Sequence, residues 1–244
     1  MNSRDQTPSL PAEVIPADLG EGVCAFFTTR LGGVSATPYD SLNLGGAVGD
    51  EAAAVRRNRE LVDELVGAPV RFATQVHGKA VLAPGCADGQ ADALLATDDG
   101  VGVLVADCVP VLLRGPGMVA AVHAGRKGLL GGVIEATLEA MAQRGQSATH
   151  AVIGPAICGS CYEVPAEMRD QAARDRPAVA STTSWGTPAL DLPAGAHDIL
   201  TTAGVQTTVL NMCTLEDHRF FSYRRDGRTG RFAAVIALRH AAVA

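Results

Sequence analysis

Apolar residues along this chain fall into short runs, and most of these runs predict β-strands. Two of them, at 101–106 and 109–113, are nearly unbroken, so both faces of the corresponding strands are expected to be buried. The other predicted strands lie at 23–29, 70–76, 118–122, 150–154, 205–210 and 232–238.

Apolar residues at helical spacing predict four helices between these strands. The first has Asp50 as its N-cap and stops at Gly67. The other three cover 129–144, 165–175 and 193–203. Strands that alternate with helices in this way predict an α/β fold.

Three segments lack the pattern of a regular element. Residues 1–20 contain prolines at positions 8, 11 and 16 and are predicted to be a flexible N-terminal arm. Residues 38–46 combine turn formers with apolar residues and predict an ordered loop packed on the core. Residues 176–188 are predicted to be irregular and exposed. No repeat or boundary divides the rest, so residues 21–244 are predicted to form one catalytic domain.

Composition narrows the possible partners and compartments. The 244 residues carry a net charge of -6 with a sequence pI near 5.5, and no basic stripe with interleaved aromatic residues occurs, which argues against nucleic-acid binding. The apolar runs are far shorter than the roughly 18 residues that span a bilayer, and the N-terminal residues lack the apolar core of a signal peptide. We therefore expect a cytoplasmic protein without membrane partners. Its six cysteines are too sparse for a disulfide scaffold and are expected to be thiols, ligands or nucleophiles.

Three reactive residues, His77, Cys108 and His123, each lie at or just past the end of a predicted strand. Two imidazoles and a thiolate suit zinc, and three protein ligands leave a coordination position open, as catalytic zinc requires. The spacing of the three residues matches no short-range zinc signature. The residues alone therefore leave two other interpretations open: a buried Cys108 with structural histidines, or a nucleophilic Cys108 with His123 or His77 as its base.

Cationic residues supply candidate anion ligands. Arg126 and Lys127 lie among glycines ahead of a predicted helix, where backbone amides and the helix dipole favour phosphate. Solvated surface cations are the alternative interpretation. Further candidates, each of which could equally be a surface charge, are Arg30, Arg224, Arg225 and Arg228.

The remaining cysteines and histidines have weaker patterns. Cys158 and Cys161 form a C-x-x-C pair that could be redox-active or bind metal, but no thioredoxin-like context surrounds it, and two loop thiols are the favoured interpretation. The histidines expected to be structural or on the surface are His150, His197, His218 and His240.

A set of motifs occurs in consistent order over residues 23–239. The set comprises TTRLGGVSATPYDSLNLGGAVGDE at 28–51, QVHG at 75–78, ADALLAT at 91–97, ADCVPVLL at 106–113, AVHAGRKG at 121–128, IGPAICGSCYEV at 153–164, LDL at 190–192 and CTLEDHRFFSYRRDGRTGR at 213–231. It resembles the YfiH family, also called the purine nucleoside phosphorylase or laccase-domain (multicopper polyphenol oxidase) family.

The resemblance implies mixed β-sheets flanked by helices, a fold related to the catalytic domain of a deamidating bacterial toxin. It also implies a zinc site at His77, Cys108 and His123, with copper as the alternative metal. The reactions of the family are phosphorolysis of adenosine, inosine and methylthioadenosine, and hydrolytic deamination of adenosine. The implied partners are therefore purine nucleosides and phosphate, and the oligomeric state is left open.

Roles follow from these reactions. In phosphorolysis the metal and the cationic loop would hold phosphate while positive charge develops on the ribosyl carbon. In deamination zinc would activate water, and Asp92 or Asp107 would carry the proton. The usual nucleobase-deaminase signature is absent, so a different arrangement is required. The residues expected to bind substrate or phosphate are Arg30, Asn43, Gln75, Arg126, Lys127 and Arg224.

One motif departs from the family pattern. The family usually has HAGWRG, whereas this chain has Arg126 and Lys127 at the last variable positions, so a tryptophan that could stack on a purine is lost. Lysine keeps the charge but not the planar bidentate grip of arginine. The H-x-H pairs of multicopper oxidases are also missing, which argues against laccase activity. A zinc-dependent phosphorylase with deaminase activity is the leading hypothesis, and a cysteine hydrolase acting on amide bonds and a non-catalytic binding module are the alternatives.

Overall fold

Two β-sheets packed face to face form the centre of the computed structural model, which describes residues 12–86 and 89–239. Their strands are β1 (Val14–Pro16), β2 (Val23–Thr28), β3 (Val70–Phe72), β4 (Val81–Leu82), β5 (Ala93–Ala96), β6 (Gly100–Val105), β7 (Val109–Arg114), β8 (Val119–Ala124), β9 (His150–Ile153), β12 (Gln206–Val209) and β13 (Phe232–Leu238), while β10 (Ala180–Thr182) and β11 (Pro188–Leu190) form a separate hairpin.

Both sheets mix parallel and antiparallel pairs, as the family resemblance predicts. The first sheet has the order β1-β2-β13-β6-β3, in which only β3 and β6 are parallel. The second has the order β12-β9-β7-β8-β5-β4, with parallel pairs at its two edges. Apolar side chains from both sheets meet in the layer between them.

Helices cover the outer faces of the two sheets, so the domain has four layers. They are α1 (Ala52–Val66), α2 (Arg126–Leu130), α3 (Val133–Ala142), α4 (Ala166–Asp175), α5 (Leu192–Thr202) and α6 (Tyr223–Asp226). Val62 of α1 packs on the first sheet, and Val133, Ile134 and Ile199 from α3 and α5 pack on the second. No helix within the described ranges is both long and apolar enough to cross a membrane.

Close packing between the sheets depends on one glycine. A Cβ at Gly154, just after β9, would overlap the ring of Phe27 in the first sheet. Phe27 is fully buried, so its ring has no solvent to move into. Glycine is therefore required where the backbone after β9 contacts the Phe27 ring.

The predicted strand at 70–76 is wrong in its second half, because a side chain takes over the pairing. The backbone leaves β6 after Phe72, and the amide group of Gln75 bonds the free backbone groups of Leu104 instead. Gln75 accepts from the Leu104 nitrogen at 2.7 Å and donates to its oxygen at 2.8 Å. This exchange releases the backbone to form the loop that carries His77.

The predicted helix at 129–144 is also wrong as a single element. Helix α2 begins at Arg126, within the segment expected to be a glycine-rich loop, and ends before Gly131. Gly132 has a φ of 90°, which is the left-handed conformation that glycine adopts readily, and α3 follows it. Two adjacent glycines thus replace one helix by two.

Corrections at the other elements are smaller. The predicted flexible arm at 1–20 is ordered from residue 12, since Val14–Pro16 pairs with β2 and Pro16 lies at the end of an edge strand, while residues 1–11 lie outside the described residues. Residues 176–188 are not irregular, because the 3₁₀ turn Pro177–Val179 and the β10–β11 hairpin occupy them. Asp50 does not cap α1, since Glu51 takes that position and the Asp50 carboxylate accepts from other residues, including Ser35.

Candidate active site

A turn that passes from the first sheet to the second positions Cys108. Strand β6 ends in the first sheet and β7 begins in the second, so residues 106–108 make the crossing. Asp107 has a φ of 96°, a strained value for a residue with a side chain. Its carboxylate holds the turn by accepting from the Thr214 hydroxyl and the Arg224 amide, each at 2.7 Å.

A buried carboxylate positions the loop of His77. Asp92 is fully buried and accepts from the backbone amides of Val76, His77 and Gly78 at 3.2, 2.9 and 2.7 Å. His77 itself has a φ of 58°, so its backbone is held in the left-handed region by these bonds.

The same carboxylate orients the second imidazole. His123 is 2% exposed near the end of β8, and its Nδ1 lies 2.7 Å from Asp92 Oδ1. Because a carboxylate accepts, Nδ1 carries the proton and Nε2 is left as the free nitrogen. Histidines that ligate metals usually have this carboxylate partner on the other ring nitrogen.

The structure brings the three predicted ligands together. One ligand atom from each of His77, Cys108 and His123 lies within 4.8 Å of the others, and Cys108 Sγ is 3.9 Å from His77 Nε2. Gly125 lies against all three, since a Cβ there would be 2.8 Å from the His77 ring and 3.2 Å from the sulfur. The cluster therefore needs both the Asp92 carboxylate and the bare backbone of Gly125.

Hydrogen bonds and charges within the cluster shift the pKa values of Cys108 and His123. Burial by itself would raise the pKa of Cys108, but hydrogen bonds and charges from His123 and His77 outweigh it and lower that pKa to about 6. Burial would likewise lower the pKa of His123, but Asp92 and Cys108 outweigh it and raise that pKa to about 9. The lowered pKa of Cys108 favours its thiolate, which is the form that ligates metals or attacks electrophiles.

A cavity of about 820 Å³ opens beside the cluster and is lined by all three of its residues. This volume falls within the roughly 300–1,000 Å³ of small-molecule sites. Asp107 is the one acidic residue among the described residues that line it, whereas the arginines in its wall are Arg59, Arg126, Arg224 and Arg231. The cavity wall therefore carries an excess of positive charge, although the chain as a whole has a net charge of -6.

Two of these arginines are desolvated and form no direct ion pair with a carboxylate among the described residues. Burial lowers the pKa of both; the nearby charge of Asp63 offsets this partly for Arg59, and the charges of Cys108 and Asp107 do so for Arg231. Neither guanidinium forms an ion pair with another described residue; Arg59 donates to the carbonyl of Leu44, and Arg231 to two neighbouring carbonyls. A buried guanidinium that no carboxylate contacts directly is costly, so an anionic ligand would stabilise both side chains.

Comparison with known proteins places the chain in a family. A family model described as multi-copper polyphenol oxidoreductase laccase matches residues 24–239. The chain belongs to this laccase family. It is 48% identical over 227 residues to a purine nucleoside phosphorylase of Streptomyces coelicolor, covering 87% of this chain and 94% of that protein. It is 42% identical to purine nucleoside phosphorylase YfiH of Shigella flexneri, covering 90% of this chain and 96% of that protein.

Solved structures agree with this placement. The crystal structure of a Neisseria meningitidis protein superposes with a TM-score of 0.84 at 39% identity, covering 93% of this chain and 99% of that chain. A Bacillus licheniformis YfiH structure gives a TM-score of 0.83 at 30% identity, covering 94% of this chain and 97% of that chain. The resemblance to the YfiH family and its mixed α/β fold is confirmed.

In this laccase-family member, four other residues predicted to act at the site also line the cavity. They are Gln75, Asp107, Arg126 and Arg224. The amide of Gln75 is already bonded to Leu104, and Arg224 donates to the Glu163 carbonyl at 2.9 Å and stacks on Tyr162.

The other predicted residues lie outside the cavity wall. Asp92 lies behind the cluster, Lys127 faces solvent, and Arg30 pairs with Asp40. Buried Asn43 accepts from the amides of Gly45 and Arg231, so it shapes the wall from behind.

The weaker candidates have structural or surface positions. Arg225 donates to backbone carbonyls, including that of Thr214, and Arg228 bonds the Tyr39 hydroxyl at 2.8 Å. His197 and His218 are exposed. His150 bonds its neighbour Thr149, and His240 lies outside the described residues.

Two cavity arginines of this laccase-family member were not singled out from the sequence. Arg59 lies on the same face of α1 as the buried Val55 and Val62, and a charge within an apolar helical stripe was a signal that could have found it. Arg231 closes the last quoted motif, but its local sequence does not separate it from the neighbouring arginines.

Proposed function

We propose that this protein is a zinc-dependent purine nucleoside phosphorylase that acts on adenosine, inosine and methylthioadenosine and also deaminates adenosine. The supporting observation is the cluster of His77, Cys108 and His123 in a cavity whose wall also carries four arginines. The phosphorylase names of two relatives that are 48% and 42% identical point to the same chemistry.

The donor set of the cluster fits a zinc ion. Two imidazole nitrogens and a thiolate would hold it through His77, Cys108 and His123, with copper as the alternative ion. Zinc, when bound, supplies a positive centre that polarises phosphate, or water in the deamination reaction. Asp92 acts as a positioning residue, because its carboxylate fixes His123 and the His77 loop together.

The arginines would bind the phosphate co-substrate. Arg231 is partly buried and within reach of the charges of Cys108 and Asp107, so phosphate held by it lies next to the cluster. Arg126 and Arg224 face the same space. A guanidinium offers paired donors that match two phosphate oxygens, and desolvation strengthens such bonds.

Aromatic side chains in the wall replace the missing tryptophan as partners of the purine. Phe72, Tyr162 and Tyr223 line the cavity, and Tyr223 is 61% exposed. In phosphorolysis a phosphate oxygen forms a bond to the ribosyl C1′ while the glycosidic C–N bond breaks. The electron pair of the broken bond goes to the purine nitrogen, and the purine leaves as the free base after it takes up a proton from phosphate or solvent. In deamination water adds to the purine and ammonia leaves, and Asp107, which lines the cavity, would carry the proton.

Phosphate-dependent release of free base from purified protein tests the phosphorylase. Adenosine, inosine and methylthioadenosine are each incubated with and without phosphate, and free base, ribose 1-phosphate species and ammonia are quantified. We expect release that requires phosphate and falls to background in Cys108→Ala, while Cys86→Ser, an exposed cysteine elsewhere, keeps full activity. Release that persists in Cys108→Ala or without phosphate would contradict the proposal.

A cysteine hydrolase is the second candidate, because Cys108, His123 and Asp92 also have the order of a nucleophile, base and orienting acid. Metal removal separates the two. Chelation should abolish phosphorolysis and restored zinc should recover it. A hydrolase would instead keep its activity after chelation and lose it on alkylation of Cys108.

A further inference from the structure

The loops that follow two parallel strands bring a second group of potential metal ligands together. Strands β9 and β12 are parallel, so the segments after them leave the same edge of the sheet. A further bridge between Ala156 and Cys213 keeps the two segments side by side. The C-x-x-C pair, far from Cys213 in the sequence, is thereby placed next to it.

Each segment forms a tight turn that presents its first and fourth residues. The carbonyl of Cys158 accepts from the amide of Cys161 at 3.0 Å. In the other segment the carbonyl of Cys213 accepts from the amide of Glu216 at 3.2 Å. A Cys-x-x-Cys turn therefore faces a Cys-x-x-Glu turn, and paired turns with two intervening residues are the usual frame of structural zinc sites.

We propose that these two turns form a second metal site, outside the wall of the cavity, that takes zinc or a similar thiophilic divalent ion. Its ligands are Cys158, Cys161, Cys213 and Glu216. One ligand atom from each lies within 4.8 Å of all the others. A zinc tetrahedron with Zn–S bonds of about 2.3 Å has edges of roughly 3.8 Å, so contraction by about 1 Å completes the site.

The chemistry of the group supports a closed, structural site. All three cysteines are thiols in the structure, and the carboxylate of Glu216 has no hydrogen-bond or ion-pair partner among the described residues. Three sulfurs and one carboxylate fill four positions, which leaves none open for substrate. On binding, each thiol gives its proton to solvent and its sulfur electron pair to the ion.

The second metal site lies next to the turn that carries Cys108 and would stabilise it. Thr214 follows Cys213 directly and donates to the Asp107 carboxylate at 2.7 Å, while the Ile157 amide donates to the Asp107 carbonyl at 3.0 Å. Both segments thus hold the turn that presents Cys108. This site is independent of the proposed reaction, because it requires no nucleoside, phosphate or metal in the cavity.

Metal stoichiometry in reducing buffer tests the proposal. After reconstitution with zinc and removal of loosely bound ions, elemental analysis should give about two equivalents for the full chain and about one for Cys108→Ala. Cys161→Ser should also retain about one equivalent, whereas Cys86→Ser should retain about two. One equivalent in the full chain and none in Cys108→Ala would overturn the proposal, and so would an unchanged content in Cys161→Ser.

Two further measurements do not depend on tolerance of a change at the buried Cys161. Glu216→Gln changes an exposed side chain, so the fold should persist while zinc affinity of the second site falls by at least about 10-fold in competition with a chelator. X-ray absorption of zinc-loaded Cys108→Ala should show three sulfurs and one oxygen. Unchanged affinity or a ligand shell dominated by nitrogen would refute the site.

Discussion

Replacing Gly125 by alanine should weaken the proposed zinc binding at the cavity cluster while the fold survives. The backbone at Gly125 has φ -66° and ψ 163°, which alanine adopts without strain. The new methyl group, however, would lie 2.8 Å from the His77 ring, roughly 0.6 Å inside the 3.4 Å at which ordinary contacts begin. His77 is exposed, so its ring can swing away at little cost in stability.

The expected loss of zinc affinity follows from how little a metal site tolerates displacement of its ligands. Ligand positions must hold to within about 0.2 Å, so a shift of roughly 0.6 Å exceeds that limit. We expect zinc affinity to fall at least about 10- to 100-fold, the loss usual for disturbed ligand positioning. The free energy of unfolding should change by no more than about 1 kcal/mol, since crowding at an exposed ring costs less than overpacking a core.

Chelator competition and urea unfolding of the same preparations measure these two quantities. Gly117→Ala is the matched control, because its Cβ would meet only the flexible side chain of Gln146, at 3.3 Å. It should retain wild-type zinc affinity and stability. Wild-type zinc affinity in Gly125→Ala would refute the packing explanation, and a large loss of stability would show that His77 is not free to move.

Three other changes probe the supports of the site. Asp92→Asn should lower zinc affinity about 10- to 100-fold and the free energy of unfolding by about 1–3 kcal/mol, because an amide cannot accept from both His123 and three backbone amides. Arg231→Gln should raise the KM for phosphate about 10- to 100-fold with intact zinc, since a charge-assisted bond contributes about 1.5–3 kcal/mol. Gly154→Ala should lower the free energy of unfolding by about 1–3 kcal/mol or more, because its Cβ would overlap the buried ring of Phe27.

Matched controls separate these effects from general damage. Asp198→Asn and Arg174→Gln alter charges on exposed helix surfaces, and Gly117→Ala adds a methyl group at an exposed turn. Unchanged zinc affinity in Asp92→Asn would disprove its positioning role. If Arg231→Gln changed the KM for nucleoside but not the KM for phosphate, another arginine would have to bind the phosphate. Wild-type stability of Gly154→Ala would show that the sheets can separate at that point.

Local patterns were sufficient to predict the central elements of the fold. The unbroken runs at 101–106 and 109–113 became strands with nearly every residue buried, because both sheets are covered on each face. The patterns failed where a side chain or a glycine decided the outcome. Gln75 ended one strand early by replacing its pairing, and Gly132 divided one predicted helix.

For the site, the sequence supplied the residue types and the structure supplied their arrangement. His77, Cys108 and His123 were identified as chemistry-bearing because polar residues interrupt apolar runs there, and they do meet. The same reasoning could not separate Asp92 from Asp107. One carboxylate is enclosed behind the cluster and the other lines the cavity, and burial depends on both sheets at once.

Local periodicity and motif identity were enough to predict the buried segments, the candidate metal ligands and the related family. The fold was needed to show which cations face the cavity and that Cys213 and Glu216 lie beside the C-x-x-C pair. Those contacts join residues far apart in the chain, and their distances are set by how two sheets pack and where parallel strands end.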